Sequence, residues 1–326
     1  MKLRYIGDVI LSTPLLPLLR NRFPKASLTF LVNPGTESVL FGNPHLEEII
    51  VIPRVGWAGQ LGFLQKLRQS GFDGVVDLTD GDRSALLTYW TGAGVRLGFN
   101  RENRWRGKLY SKVLPSAYGS MHMVDYHAQA LTELGISDAV GEPEIYLRRE
   151  DEEQGDQLLA SLRIGDTPLV VLSPSARYSF KAWPLERFAA LADWLAEQGA
   201  AVALIGHQEE VFIGRQIINL TKSKPRNLMG QTLLPQLATL MKRSALFVGN
   251  DGGPMHMAAA VGCPVLGLFG PTDPHVWGPR GKKASVIYKG LECGKCFYPG
   301  CIRGEESCMR QISVEEVCRA AGSLLP

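Results

Sequence analysis

The stretch from Ala245 to Gly278 constrains the fold more than any other part of the chain. Ala245–Val248 is a short apolar run, long enough for one buried strand. Gly249-Asn-Asp-Gly-Gly253 follows as a tight turn, and Pro254 sits where the first helical residue should be, where a missing N–H costs nothing. Met255–Val261 reads as a small-residue helix closed by Gly262 and Pro264. Val265–Phe269 is a second apolar strand, ending in the turn Gly270-Pro-Thr-Asp-Pro274. Strand, Gly-rich turn, helix, strand is a βαβ unit. A helix N-terminus offers unpaired N–H groups and partial positive charge, and glycines there let phosphates approach the backbone. An ordinary βαβ crossover fits the same pattern. Asp251 and His256, polar groups at the mouth and first turn, favour a binding site.

The same alternation runs through the whole chain. Strands are expected at residues 27–32, 49–52 and 74–78, with helices at 34–41, 61–69 and 122–134. A charged helix at Glu150–Glu153 reads as the link to a fresh set: strand 169–172, helix 185–198, strand 201–205, helix 209–219 and then the stretch above. The fold class is therefore α/β with parallel, doubly wound sheets. At 326 residues the chain suits two domains, 1–150 and 151–326, with a last helix at about 314–325. Pro14 and Pro17 interrupt the apolar run Val9–Asn21, so its first half is expected to be a loop or kinked turn. Met1–Gly7 reads as the tail of a strand, short enough that the natural start is expected upstream.

Composition excludes several classes. With 35 Lys and Arg against 32 Asp and Glu, a net charge of +3 gives no reason to expect nucleic acid. No run approaches the roughly 18 apolar residues of a membrane span, and no signal peptide is evident, so a cytoplasmic location is expected, with a peripheral visit to a membrane left open. The chain lacks G-x-G-x-x-G after a strand, G-x-x-x-x-G-K-[ST] and G-x-S-x-G, which disfavours nicotinamide enzymes, P-loop NTPases and esterases. Five of six cysteines fall late. Cys293, Cys296, Cys301 and Cys308 have the look of a structural metal knuckle with uneven gaps, against which stand free thiols or a disulfide.

Ligands of such sheets lie beyond the carboxyl ends of the strands. Lys181 follows the strand at 169–172 and precedes a helix begun by Pro184, as a phosphate-facing cation would. Gly206-His-Gln-Glu-Glu210 follows the next strand, where a carboxylate can accept both ribose hydroxyls. Together with the 249–253 turn, three strand ends describe a nucleotide pocket. In the first half, Asp8 and the Asp77–Asp80 pair sit at strand ends. Asp8 is either a general base or a helix cap. Arg101, Arg104, Arg106, Lys108 and Lys112 surround Trp105 and Tyr110, either as a solvated loop or as a surface for a phosphorylated or membrane-borne acceptor.

Four segments carry a resemblance: Gly7-Asp-Val-Ile-Leu-Ser-Thr-Pro14, Lys181-Ala-Trp-Pro184, Asn250-Asp-Gly-Gly-Pro-Met-His256 and Phe269-Gly-Pro-Thr-Asp-Pro274. The chain resembles the family 9 glycosyltransferases, the ADP-heptose:lipopolysaccharide heptosyltransferases, nearly end to end. Residues 2–8, 76–80 and 174–183 look most like the core heptosyltransferase III type. The resemblance implies a GT-B fold of two facing Rossmann-like domains, the first binding acceptor and the second ADP-L-glycero-β-D-manno-heptose, with the last helix packing back toward the first domain. It implies inverting transfer to a lipopolysaccharide inner-core heptose at the inner face of the cytoplasmic membrane. Asp8 matches the proposed base and Lys181 the cation on the departing diphosphate. Ser175, Asp251, Gly252, Gly253, His256 and one of Glu209 and Glu210 match donor contacts. Asp80, Arg101 and Arg104 fall to the acceptor side. No cofactor or catalytic metal is implied. The rivals are a GT-B transferase of another nucleotide sugar, a nucleotide-sugar epimerase of similar shape, and a non-catalytic sugar-nucleotide-binding subunit.

Overall fold

The computed structural model describes residues 1–325 except 292, 294, 295 and 297–299. The chain divides into two compact units, Met1–Tyr146 and Leu147 onward.

In the first unit the elements run α1 (Ile6–Ile10), α2 (Leu15–Arg22), β1 (Thr29–Val32), β2 (Glu48–Val51), α3 (Trp57–Gln69), β3 (Gly74–Asp77), α4 (Asp82–Trp90), β4 (Val95–Phe99), β5 (Lys112–Leu114) and α5 (Met123–Thr132). The kink expected at the prolines appears as the break between α1 and α2, with Pro14 as the N-cap residue of α2. β1 pairs with β2, and β3 with β4 and β4 with β5, all parallel. Met1–Leu3 joins these two small sheets. The Lys2 N–H donates to the Leu31 carbonyl on one side, while the Leu78 N–H donates to the Met1 carbonyl on the other. Leu3 packs with Leu31, Ile52, Leu67 and Leu87, a core drawn from both halves.

The second unit holds α6 (Arg149–Ser161), β6 (Leu169–Ser173), α7 (Leu185–Glu197), β7 (Ala201–Leu204), α8 (Val211–Leu220), β8 (Arg226–Asn227), α9 (Leu234–Lys242), β9 (Leu246–Asn250), α10 (Gly253–Ala260), β10 (Val265–Phe269), α11 (Pro274–Trp277), β11 (Ala284–Tyr288), α12 (Cys308–Gln311) and α13 (Val314–Leu324). One six-stranded parallel sheet runs β11-β10-β9-β6-β7-β8. Its strands β6, β9 and β10 are buried along their whole length, as continuous apolar runs covered on both faces should be. The charged helix read as a link is α6, and it packs on α9 within this unit. A Cβ on Gly155 would come within 2.3 Å of the Thr239 side chain, so glycine permits the close approach. Thr239 Oγ1 donates to the Asp151 carbonyl at 3.1 Å across the same contact. The buried residues Val317, Cys318 and Ala321 of α13 join the core formed by α7 and the sheet.

Strand order reverses between β6 and its neighbours: the chain moves from β6 out to β7 and β8, then returns to lay β9 on the other flank. That reversal opens a crevice at the carboxyl ends of β6 and β9, the place where such sheets hold ligands.

Candidate functional site

The loops leaving β6 and β9 meet at this switch point. Lys181, in a short 3-10 turn at Ser179–Lys181, donates from Nζ to Asp251 Oδ2 at 2.8 Å. Lys181, expected on the diphosphate, and Asp251, expected among the donor contacts, are thus brought together from 70 positions apart. An ammonium has three donors, so the pair with Asp251 leaves two for a ligand. Immediately beyond Asp251, Gly252 is the N-cap residue of α10 and Gly253 its first residue. The helix aims its N-terminal backbone at the same crevice, adding partial positive charge. Gly249 lets β9 lie close to β6: a Cβ there would stand 2.9 Å from the Ser173 Cβ.

A residue that the motif reading did not single out holds the arrangement. Asn250 is almost fully buried. Its Oδ1 accepts from the Trp183 N–H at 3.0 Å, and its Nδ2 donates to the carbonyls of Pro174 at 2.8 Å and Ser175 at 3.4 Å. One amide therefore ties the Ser175 loop to the Lys181–Pro184 segment and sets both against the 250–253 turn. Trp183 itself is wholly buried and donates its indole N–H to the Ile312 carbonyl at 2.9 Å, which fixes the far end of the segment.

The remaining donor-side candidates separate. His256 lies buried in α10. Glu210 Oε2 accepts from the His207 N–H at 2.6 Å, so it closes the turn after β7. Glu209 is exposed. A cavity of about 470 Å³ lies behind the 3-10 turn, lined by Phe180, Trp183, Met309 and Arg310 among others, and none of the donor-side candidates lines it.

In the first unit, Asp8 is the third residue of α1. Its Oδ2 accepts from the Tyr5 N–H at 3.0 Å, closing the helix start, while Oδ1 lies 3.2 Å from Lys2 Nζ. Both readings of Asp8 are thus compatible: the carboxylate caps the turn and stays partly exposed beside a cation. Lys2 is buried. Its Nζ also donates to the Leu78 carbonyl at 2.9 Å and meets His127 Nε2 at 3.2 Å. Burial, and then the Lys2 charge, push the His127 pKa well below the usual histidine value, so its neutral ring accepts from the ammonium. Lys2 and His127 escaped the sequence reading.

The two acids at the end of β3 part company. Asp77 is fully buried, accepting from the Thr79 N–H at 2.8 Å and the Tyr110 hydroxyl at 2.8 Å. Burial and the Asp77 charge raise the Tyr110 pKa, holding it as a phenol donor. Asp80 instead pairs with the buried Arg106 at 2.9 Å, and Arg106 also reaches Asp82 at 3.1 Å and Glu102 at 3.2 Å. Of the acceptor-side candidates, Arg101 stands 3.9 Å from Asp80 and over the Tyr118 ring at 4.1 Å, and Arg104 pairs with Asp82 and Glu102. The basic window is therefore an ordered ion-pair network beside stacked aromatics, with Phe99 on Tyr126 at 4.2 Å.

All six cysteines are free thiols. Among the described residues, no group of three or more His, Cys, Asp or Glu side chains converges to hold a metal, although Cys293, Cys296, Cys301 and Cys308 are themselves described. Gly294 and Lys295, within the expected knuckle, lie outside the described residues.

The model of "Glycosyltransferase family 9 (heptosyltransferase)" matches residues 61–305. Lipopolysaccharide heptosyltransferase 3 of Escherichia coli K12 is 30% identical over 85% of this chain and 83% of its own. Two solved structures are each 25% identical over 99% of the chain. The family 9 glycosyltransferase of Veillonella parvula superposes with a TM-score of 0.87 and is covered over 94% of its length. The E. coli ADP-heptose lipopolysaccharide heptosyltransferase II superposes at 0.82 and is covered over 98%.

Proposed function

The chain belongs to glycosyltransferase family 9, a GT-B family, and from that premise we propose that it is an inverting heptosyltransferase. It moves L-glycero-D-manno-heptose from ADP-heptose to an inner-core heptose of lipopolysaccharide. The observation that carries this reading is the Lys181–Asp251 contact at the switch point beside the N-terminus of α10. It supplies a cation and backbone N–H groups where a nucleoside diphosphate would lie.

The second unit serves as the donor domain and the first as the acceptor domain. The diphosphate rests on Lys181 and on the backbone at Gly252 and Gly253, with Ser175, Asp251 and His256 around it. Glu209, the exposed member of its pair, takes the ribose hydroxyls, since Glu210 is committed to its turn. Asp8 accepts the proton of the attacking acceptor hydroxyl. That oxygen bonds to the anomeric carbon as the bond to the ADP oxygen breaks, and ADP departs carrying the negative charge. Lys181 and the helix stabilise the charge as it develops. Asp80, Arg101 and Arg104 form the acceptor-side surface. With the diphosphate neutralised by protein groups, the reaction needs no cofactor. The acceptor is membrane-borne, so the enzyme works at the cytoplasmic face of the inner membrane as a peripheral protein. Among the described residues, no helix is long and apolar enough to cross a membrane.

The test is ADP release from ADP-heptose with and without a core acceptor lacking the branching heptose. Release should depend on acceptor and vanish in Asp8→Ala, while ADP binding stays within a few-fold. Binding of ADP-heptose without transfer to any core acceptor would favour another glycan or a non-catalytic subunit. Loss of ADP binding in a folded Asp8→Ala protein removes Asp8 as the base.

A further inference from the structure

One face of the first unit combines two properties. Helices α3 and α4 lie side by side, tied by the Trp90 indole N–H donating to the Leu64 carbonyl at 2.9 Å. Arg68 adds a second link to the Trp90 carbonyl at 3.4 Å. On α3, Trp57 is 77% exposed and Leu61, one turn on, 55%. On α4, Leu86, Tyr89 and Trp90 are 50%, 53% and 46% exposed. Large apolar side chains on adjacent helices are here left in water. The second property is charge. No Asp or Glu occurs between residues 49 and 72 or between 83 and 101, although acids and bases are nearly balanced over the chain. The exposed bases on these helices and on the segment before α3 are Arg54, Lys66, Arg68 and Arg83, and Asp82 at the start of α4 is taken up by Arg104 and Arg106.

We propose that this α3–α4 face docks on the headgroup region of a bilayer containing anionic phospholipid. Indole and phenol rings suit the boundary between headgroups and acyl chains, where the ring is apolar and its N–H or O–H stays wet. A basic fringe adds attraction to an anionic surface. The alternative occupant, a second copy of the chain, is disfavoured by charge. A two-fold contact would bring the basic residues Arg54, Lys66 and Arg68 of two copies together, while the one acid of the two helices, Asp82, is already paired with Arg104 and Arg106. The inference deepens the reading of a membrane-borne acceptor and rests on it for its biological sense. Its evidence is separate, because none of these residues belongs to the donor or acceptor machinery.

The experiment is co-sedimentation of the full chain with phosphatidylglycerol vesicles and with phosphatidylcholine vesicles, at low and raised salt. The variant is Trp57→Ser combined with Leu61→Ser, with Lys66→Glu as a second, purely electrostatic change. Transfer to a water-soluble core oligosaccharide serves as the folding control. Wild type should bind phosphatidylglycerol in a salt-sensitive way and phosphatidylcholine weakly. The double variant should lose about tenfold or more of its partitioning, with transfer to the soluble acceptor kept. Wild-type indifference to phosphatidylglycerol, or a double variant that binds as wild type does, overturns the proposal. So does self-association of wild type in solution that the same substitutions abolish. If vesicle binding behaves as expected while no heptose is transferred, the docking face stands and the catalytic reading fails.

Discussion

Asn250→Ala is the perturbation whose cost the structure defines best. The side chain is buried and makes hydrogen bonds to the Trp183 N–H, the Pro174 carbonyl and, at longer range, the Ser175 carbonyl. Truncation leaves the Trp183 N–H and the Pro174 carbonyl without this partner. A buried donor or acceptor left unsatisfied costs about 1–3 kcal/mol, so the two together give about 2–6 kcal/mol. Water entering the space of a lost amide would bring the value toward the lower end. Trp183 lies two residues from Lys181, so releasing its N–H also frees the turn that holds Nζ against Asp251. Urea unfolding should therefore show a loss of about 2–4 kcal/mol with the slope unchanged. Donor kinetics should show kcat/KM down by about tenfold or more, each 1.4 kcal/mol being one decade. A loss below about 1 kcal/mol together with unaltered kcat/KM would refute the view that this amide organises the site.

The remaining predictions concern charge. Lys181→Ala should lower the rate of ADP release by ~10²-fold or more, the range for removing one contact to a charge that develops in the transition state; an unchanged rate takes Lys181 out of the mechanism. His127 is held neutral in the fold by burial, so below a pH of about 6.5 the unfolded chain binds a proton that the native chain does not. Stability of the wild type should then be fully present above that pH and fall by about 1.4 kcal/mol per unit below it, until the native ring itself titrates. His127→Gln, compared by urea unfolding at mildly alkaline and mildly acidic pH, should lack this component; equal acid sensitivity in the two proteins argues that other groups carry it.

Sequence and structure agree where information is local. The strand at 265–269 and the helix beginning at 185 fall where apolar runs and proline place them. The Gly-rich segment at 249–253 announces itself through residue types that only a close approach or a helix start requires, although the turn is shorter than expected: β9 runs on to Asn250 and α10 begins at Gly253. What escaped is non-local. Strands β4 and β5 are short and carry Arg96 and Lys112, so their apolar signal is weak until β3 supplies a partner. Asn250 looks like one more turn residue beside Asp251, because its partners lie 67 and 76 positions away. Lys2 stands in a stretch read as the tail of a strand, and nothing local marks that the fold buries it against His127, 125 residues on. Which of Glu209 and Glu210 closes the turn after β7 was likewise closed to composition, since the fold alone sets which carboxylate reaches back to the His207 N–H.

The strip Met1–Leu3 has a consequence for how the first unit is assembled. The pairs β1–β2 and β3–β4–β5 each join segments near one another in the chain and can form early, while the strip bonds to Leu31 on one side and to Val76 and Leu78 on the other. Contacts spanning so much chain carry a large closure entropy and tend to come late. The same strip delivers Lys2 to Asp8 and His127. The cation beside Asp8 therefore arrives with the last seam of the sheet, so a partly folded first unit would hold the carboxylate without its neighbour.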